Sequence, residues 1–243
     1  MSNIVVECNE FLKGCGLTYA FCGGYALELF LDKKLRSHSD IDTTVFDEDK
    51  NSIIEYILKK GWNIYDHRSE WIDNKKANSY LRSIVSAYDE GIANLRYVWV
   101  IKPGCSFIEI KPKPGDEQIF DYKITNGEQL CFDFFEVLFN KRKDELFVID
   151  SFSSQDKNIT REMARAILNN AEGIPYLAPE IKLLIISHPA YLASEYHKGK
   201  NKIDFDSTIP YLPKESREWL INALETAYPN GLERINQLKA LSE

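Results

Sequence analysis

An α/β (α+β) protein with a mixed β-sheet, flanking helices and a smaller helical C-terminal region is what the order of hydrophobic patterns predicts. Three observations carry this. Strand, turn, helix, strand and helix recur within the first 60 residues. Four apolar, aromatic or β-branched runs follow before residue 150, and helical spacing takes over from residue 179.

Residues 3–15 carry Ile4, Val5, Cys8, Phe11 and Leu12 at helical spacing and end in Gly14 and Gly16, which predicts an amphipathic first helix. Thr18 to Cys22 reads as a short buried strand, Gly23-Gly24 as a turn, and Tyr25 to Lys33, rich in Ala, Leu and Glu, as a helix. Ile41 to Phe46 is strand-like with β-branched residues, and Asn51 to Lys60 is helical through Ile53, Ile54, Tyr56, Ile57 and Leu58. Strands are then expected at Tyr97 to Ile101, Cys105 to Ile110, Leu130 to Val137 and Leu146 to Ile149, with turns at Pro114-Gly115 and Asn126-Gly127. Helices are expected over residues 179–195, 214–228 and 232–241, interrupted by Pro189, Pro210 and the Pro229-Asn230-Gly231 run. The change from strands to helices places a boundary at 172/173, giving regions 1–172 and 173–243.

Composition excludes several classes. At 243 residues, with 44% hydrophobic and 28% charged residues, 12 Gly and 9 Pro, the chain is globular and long enough to bury a core without staples. Cys8, Cys15, Cys22, Cys105 and Cys131 form no C-x-x-C pair, so reduced core thiols in a cytosol are expected instead of a zinc site or a disulfide framework. No secretion signal is expected from the opening residues, which lack a basic and an apolar stretch, and apolar runs such as Ile181 to Ile186, broken by Lys182, are too short to span a membrane. A soluble, cytoplasmic protein is expected. A net charge of -7 argues against non-specific binding to nucleic acid and favours cationic partners.

The chemistry concentrates in two neighbouring stretches. In Asp40-Ile41-Asp42 the two-residue period of a strand puts both carboxylates on one face and Ile41 on the other, so the pair can share metal ions. Mg²⁺ prefers carboxylate, water and phosphate oxygens, which suits two aspartates plus a nucleoside triphosphate. Upstream, Gly23 and Gly24 lie between strand and helix, where bare backbone N–H groups and a helix N-terminus can approach phosphate. Either motif alone is common. In the order strand, Gly-Gly, helix, loop, D-x-D strand they point together to phosphate and metal.

These residues resemble the nucleotidyltransferase superfamily of the DNA polymerase β type, and more closely its aminoglycoside adenylyltransferase and lincosamide nucleotidyltransferase branch. That branch carries G-G-(aromatic)-A-L followed by R-x-H-x-D-(aliphatic)-D. The matching residues are Gly23-Gly24-Tyr25-Ala26-Leu27 and Arg36-Ser37-His38-Ser39-Asp40-Ile41-Asp42. The Tyr176 to Glu180 stretch is similar to the branch's Y-L-A-P-E segment, and Lys200 to Phe205 continues the likeness. The resemblance implies a nucleotidyltransferase-like fold, with residues 1–172 as catalytic domain and 173–243 as helical substrate-binding region. It implies two Mg²⁺ ions, ATP or another NTP as co-substrate, and transfer of a nucleoside monophosphate, AMP first, to a hydroxyl of a small, cationic acceptor such as an aminoglycoside or lincosamide-like antibiotic. By the same likeness Asp40 and Asp42 are metal ligands, and Gly23, Gly24, Arg36 and His38 bind nucleotide.

The family also implies a third carboxylate on a later strand, as metal ligand or general base. Asp133, in the otherwise apolar Leu130 to Val137 run, is the first choice, because a carboxylate there is costly to bury without a cation or donor. Glu136, three residues on and so on the opposite face of a regular strand, and Glu109 are the alternatives. The chain departs from the branch where lysines are expected: Ile186 and His188 stand in their places. Two other functions compete, transfer to tRNA or protein and a non-catalytic nucleotide-binding module. The first expects a basic face, and the basic run from His197 to Lys202 is short.

Overall fold

The structure is a computed structural model that describes residues 3–38, 40–72, 75–109, 122–125, 132–149, 159–193 and 195–241. In chain order the elements are α1 (Asn3–Lys13), β1 (Tyr19–Phe21), α2 (Gly23–Leu31), β2 (Asp42–Phe46), α3 (Lys50–Lys59), β3 (Asn63–Ile72), β4 (Lys75–Ile84), β5 (Tyr97–Ile101), β6 (Ser106–Glu109), β7 (Tyr122–Thr125), β8 (Phe134–Lys143), β9 (Leu146–Ile149), β10 (Ile159–Glu162), α4 (Met163–Ala166), β11 (Ile167–Asn169), β12 (Pro175–Leu177), α5 (Pro179–Ile185), α6 (Pro189–Ala193), α7 (Glu195–Thr208), α8 (Lys214–Ala227) and α9 (Glu233–Ala240). The α/β class and the mixed sheet are as expected: β1 pairs with β12 in parallel, whereas β3, β4, β5 and β8 pair antiparallel. The expected turns at 114–115 and 126–127 and Cys131 lie outside the described residues.

Contacts divide the chain into two compact units, one from residues 2–19 and 38–139, the other from 20–37 and 140–243. The expected division at 172/173 is drawn differently: in these units β9 to β12 group with the C-terminal helices.

In the first unit the strand order is β2-β8-β5-β3-β4. The centre of β8 has apolar residues on both faces, as a strand between two neighbours does. One face carries Phe135, whose ring meets Phe11 of α1 at 5.8 Å and Trp62 at 5.7 Å between centroids, and Trp62 also lies against Phe132. The other carries Phe134, which packs with Trp99, Ile101 and Ile124. The β3–β4 hairpin, with a register shift between Glu70 and Trp71, was not expected from the sequence.

In the second unit β1, β12 and β11 lie side by side and β9 pairs with β10. Helices α5, α8 and α9 supply the buried Leu183, Leu184, Leu220, Leu224 and Leu238. The expected helix over 179–195 breaks after Ile185 and restarts at Pro189, whose ring cannot continue an α-helix from the preceding turn. Glu180, in the Y-L-A-P-E segment, is buried and accepts from Arg161 Nη2 at 2.7 Å and from Ser216 Oγ at 3.1 Å, so it closes a buried ion pair inside this unit. Among the described residues no helix is long and apolar enough to cross a membrane.

Candidate metal centre

Asp42 opens β2 and Asp40 lies two residues before it, while Ile41 between them is fully buried. The alternation expected of this stretch therefore delivers two carboxylates to one side and an apolar anchor to the other. Strand β8 completes the group. The Glu136 amide donates to Ile41 O at 2.8 Å and Thr43 Oγ1 donates to Glu136 O at 2.7 Å, which fixes this point of β8 beside the start of β2. One ligand oxygen from each of Asp40, Asp42 and Glu136 then falls within 4.8 Å of the others.

The electrostatics follow from that convergence. Burial pushes the Glu136 carboxyl well above the usual carboxylate range, the charges of Asp42 and Asp40 push it further, and the polar edge of Trp99, its cross-strand partner, opposes them. Three partly buried carboxylates at this spacing are mutually unfavourable unless a proton or a cation sits among them. The donor set is all hard oxygen, the chemistry that suits Mg²⁺ or Mn²⁺, so the residues fit such an ion.

Trp99 is itself held. His67 stacks on it with centroids 4.3 Å apart and an interplanar angle of 9°, and Phe134 meets it edge-on at 5.7 Å. Tyr97 Oη donates to His67 O at 3.2 Å, and burial, with Glu136 and Asp66 adding to it, pushes the Tyr97 phenol up to about 12. None of these side chains stood out in the sequence. The one available signal was the alternation of Tyr97, Trp99 and Ile101 along β5.

Asp133 stands apart from this group. It lies in the turn before β8, not within the strand, its amide oxygen accepts from Lys102 N at 2.9 Å, and its carboxylate stands 3.3 Å from Lys102 Nζ. An apolar run starting at Leu130 predicted a strand through Asp133; the strand begins at Phe134, and its register brings Glu136 to the aspartates. Glu109 ends β6, opposite Tyr122 in the separate two-stranded β6–β7 sheet, so its strand does not border β2.

The expected nucleotide-binding residues fall as follows. Gly23 and Gly24 are the first residues of α2, not a turn before it, and Gly23 has φ 60°, a left-handed conformation that a side chain resists. His38 is buried. Arg36 directs its guanidinium to Asp204, through Nε at 2.8 Å and Nη2 at 2.9 Å. At the departure from the branch pattern, the carbonyl of Ile186 and the hydroxyl of Ser187 each accept from Arg234 Nη1 at 3.0 Å. A cation at that point thus comes from α9, Arg234, a residue the sequence reading missed.

No family model matches the chain, and no curated protein sequence does. Solved structures do. A lincosamide antibiotic adenylyltransferase, LnuA with lincomycin bound, is similar at 12% identity over 84% of this chain and 96% of its own, with a TM-score of 0.47. The antibiotic-resistance factor ANT(2'')-Ia is similar at 14% identity over 95% of this chain and 96% of its own, with a TM-score of 0.46.

Proposed function

We propose that the protein is a divalent-metal-dependent nucleotidyltransferase that moves a nucleoside monophosphate, AMP first, from an NTP to a hydroxyl of a small molecule. The observation that carries this reading is the convergence of Asp40, Asp42 and Glu136 within 4.8 Å, downstream of a Gly-Gly helix start. A D-x-D pair joined by a third carboxylate from a neighbouring strand is an arrangement that a folded chain tolerates at a cost and that a cation makes favourable.

In this reading Asp40, Asp42 and Glu136 hold the metal. A divalent cation bound there supplies charge neutralisation for phosphate oxygens and lowers the pKa of an acceptor hydroxyl. In this reading a carboxylate of the group, Glu136 first, takes the hydroxyl proton at a carboxylate oxygen as the oxygen–phosphorus bond forms and pyrophosphate leaves. Gly23 and Gly24 offer backbone N–H groups to the triphosphate, and the left-handed Gly23 sets the direction of the first turn. His38 borders the D-x-D segment in sequence and belongs to the nucleotide-binding set. The net charge of -7 supports a cationic acceptor, for which aminoglycosides and lincosamide-like antibiotics are the first choices.

A pyrophosphate-release screen tests this: each NTP with Mg²⁺ or Mn²⁺ against a panel of aminoglycosides, lincosamides and tRNA. Metal-dependent release with a small acceptor is the expected outcome. Release with tRNA alone would move the acceptor to a macromolecule, and nucleotide binding without release under any condition would overturn the enzymatic reading.

A further inference from the structure

We propose that Trp99 is a positioning residue for the acidic centre, a fixed wall that keeps the Glu136 carboxylate on the side of Asp40 and Asp42; this rests on the reading of those three acids as a metal centre. Every residue involved lies in the first unit. The backbone ladder sets the contact. Lys102 N donates to Asp133 O at 2.9 Å and Phe139 N to Arg96 O at 2.8 Å, and along an antiparallel ladder such bonded pairs alternate with pairs that exchange no hydrogen bonds. Counting in twos from either end makes Trp99 and Glu136 a pair of the second kind, whose opposed side chains stand closest. The Glu136 amide agrees, since it turns away from β5 and donates to Ile41 O beside β2. Glu136 therefore has Trp99 on one flank and the strand of Asp42 on the other.

The wall is braced against rotation. Trp99 is 5% exposed, and three rings meet its indole: His67 lies flat on its face at 4.3 Å, Phe134 stands edge-on at 5.7 Å and Phe107 tilts against it at 5.5 Å. On the far flank Tyr65 of β3 is its cross-strand partner. His67 is held in turn, because Tyr97 Oη donates to His67 O at 3.2 Å and lies 3.3 Å from His67 Nδ1. Tyr97 and Trp99, two residues apart on β5, share a face, so one strand supplies both the wall and the brace of the ring stacked on it.

Glu136 is the ligand that most needs such a stop. Asp40 and Asp42 are short and flank the fully buried Ile41, whereas glutamate reaches its carboxylate through one more rotatable bond. An indole fixed beside it removes the rotamers that swing the carboxylate toward β5. A metal set functions only when its ligands are held to about 0.5 Å, and groups that orient ligands from behind typically change metal affinity or activity by about 10- to 100-fold when altered.

Trp99→Phe and His67→Ala test this in the full chain, with His67→Phe and Ile124→Val as controls. The readouts are melting temperature, Mn²⁺ affinity by titration calorimetry, and kcat with KM for NTP in the pyrophosphate assay. Folded Trp99→Phe is expected to bind Mn²⁺ about 10-fold more weakly and to lose at least about 10-fold in kcat, with KM for NTP nearly unchanged. His67→Ala removes the stacked ring and shifts the same readouts by less, and His67→Phe, which returns a flat ring, restores them; this pair decides the matter if Trp99→Phe does not fold. Ile124→Val thins the same apolar cluster from β7, a strand that does not pair with β8, so it should lower the melting temperature and leave Mn²⁺ affinity unchanged. Wild-type Mn²⁺ affinity in folded Trp99→Phe, or an equal loss in Ile124→Val, would overturn the proposal. Asp40→Asn separates the two readings. Mn²⁺ binding lost in Asp40→Asn but kept in Trp99→Phe rejects only the positioning role, whereas a wild-type protein that binds no Mn²⁺ rejects the metal centre and this role with it.

Discussion

Glu136→Gln removes one charge from the acidic group and keeps its shape, and it should raise stability while abolishing metal binding. Two unit charges 4.8 Å apart, the outer separation of the three ligand atoms, repel by roughly 3 kcal/mol at an effective dielectric of 20. Partial exposure and the proton that Glu136 tends to keep reduce the net relief to about 1–3 kcal/mol. For a chain of 243 residues this corresponds to a melting temperature higher by about 2–10 °C in metal-free buffer at neutral pH. The pH dependence has a defined sign. Glu136 is an acid whose folded pKa is raised, so its cost is absent below the unfolded pKa, grows as pH rises toward the folded one, and is complete above it. The advantage of the variant should therefore vanish in acid. With Mg²⁺ or Mn²⁺ the advantage is cancelled or reversed, because a ligand at 100 times its Kd stabilises only the protein that binds it, by about 2.7 kcal/mol. Differential scanning fluorimetry across pH, with EDTA or metal, reads all of this. A variant no more stable than the unaltered protein in EDTA, or stabilised equally by metal, would refute the reasoning.

Other substitutions separate the remaining roles. Asp40→Asn and Asp42→Asn should each lose transfer by on the order of 10²-fold with the fold retained, checked by turnover and circular dichroism. Asp133→Ala should stay within roughly a factor of three in kcat, the scale of a part-exposed ion pair with Lys102, and a dead variant would restore it as third carboxylate. Gly23→Ala forces a side chain into φ 60° and should cost about 1–2 kcal/mol in urea denaturation, together with weaker binding of a non-hydrolysable NTP. Arg161→Met strands the buried Glu180 and should cost about 3–5 kcal/mol, most of which the double change with Glu180→Leu should recover.

What was legible in the sequence was local. The spacing of Ile4, Val5, Cys8 and Leu12 marked α1, the β-branched run after Asp42 marked β2, and Tyr97 to Ile101 marked β5 to the residue. What was hidden depended on distant partners. The β3–β4 hairpin carries Asp66, His67, Arg68 and Arg82 among its apolar residues, which breaks the alternation that announces a strand. Helix α7 shows no apolar stripe because its buried positions Asn201, Asp204, Phe205 and Thr208 are mostly polar, although they keep helical spacing. Asp204 is acceptable there only because Arg36, 168 residues earlier, reaches it, and no local pattern encodes such a pair.

The acid that joins Asp40 and Asp42 shows why register, more than residue type, decided which carboxylates converge. Phe132, Asp133, Phe134, Phe135, Glu136 and Val137 place aromatic residues at both even and odd positions, so alternation cannot say which acid faces which way. An apolar run with one acid near its middle favours that acid if the run is all strand. Here Phe132 and Asp133 form a turn that lets Phe132 join Phe135 and Trp62 on one face, with ring centroids 5.5 Å and 5.0 Å away, and alternation starts only at Phe134. From that start Glu136 shares a face with Phe134 and stands opposite Trp99, while Asp133 is left where the exposed Lys102 can meet it. The same two-residue period that made Asp40 and Asp42 readable thus concealed their partner, because a period specifies a face only once the first residue of the strand is known.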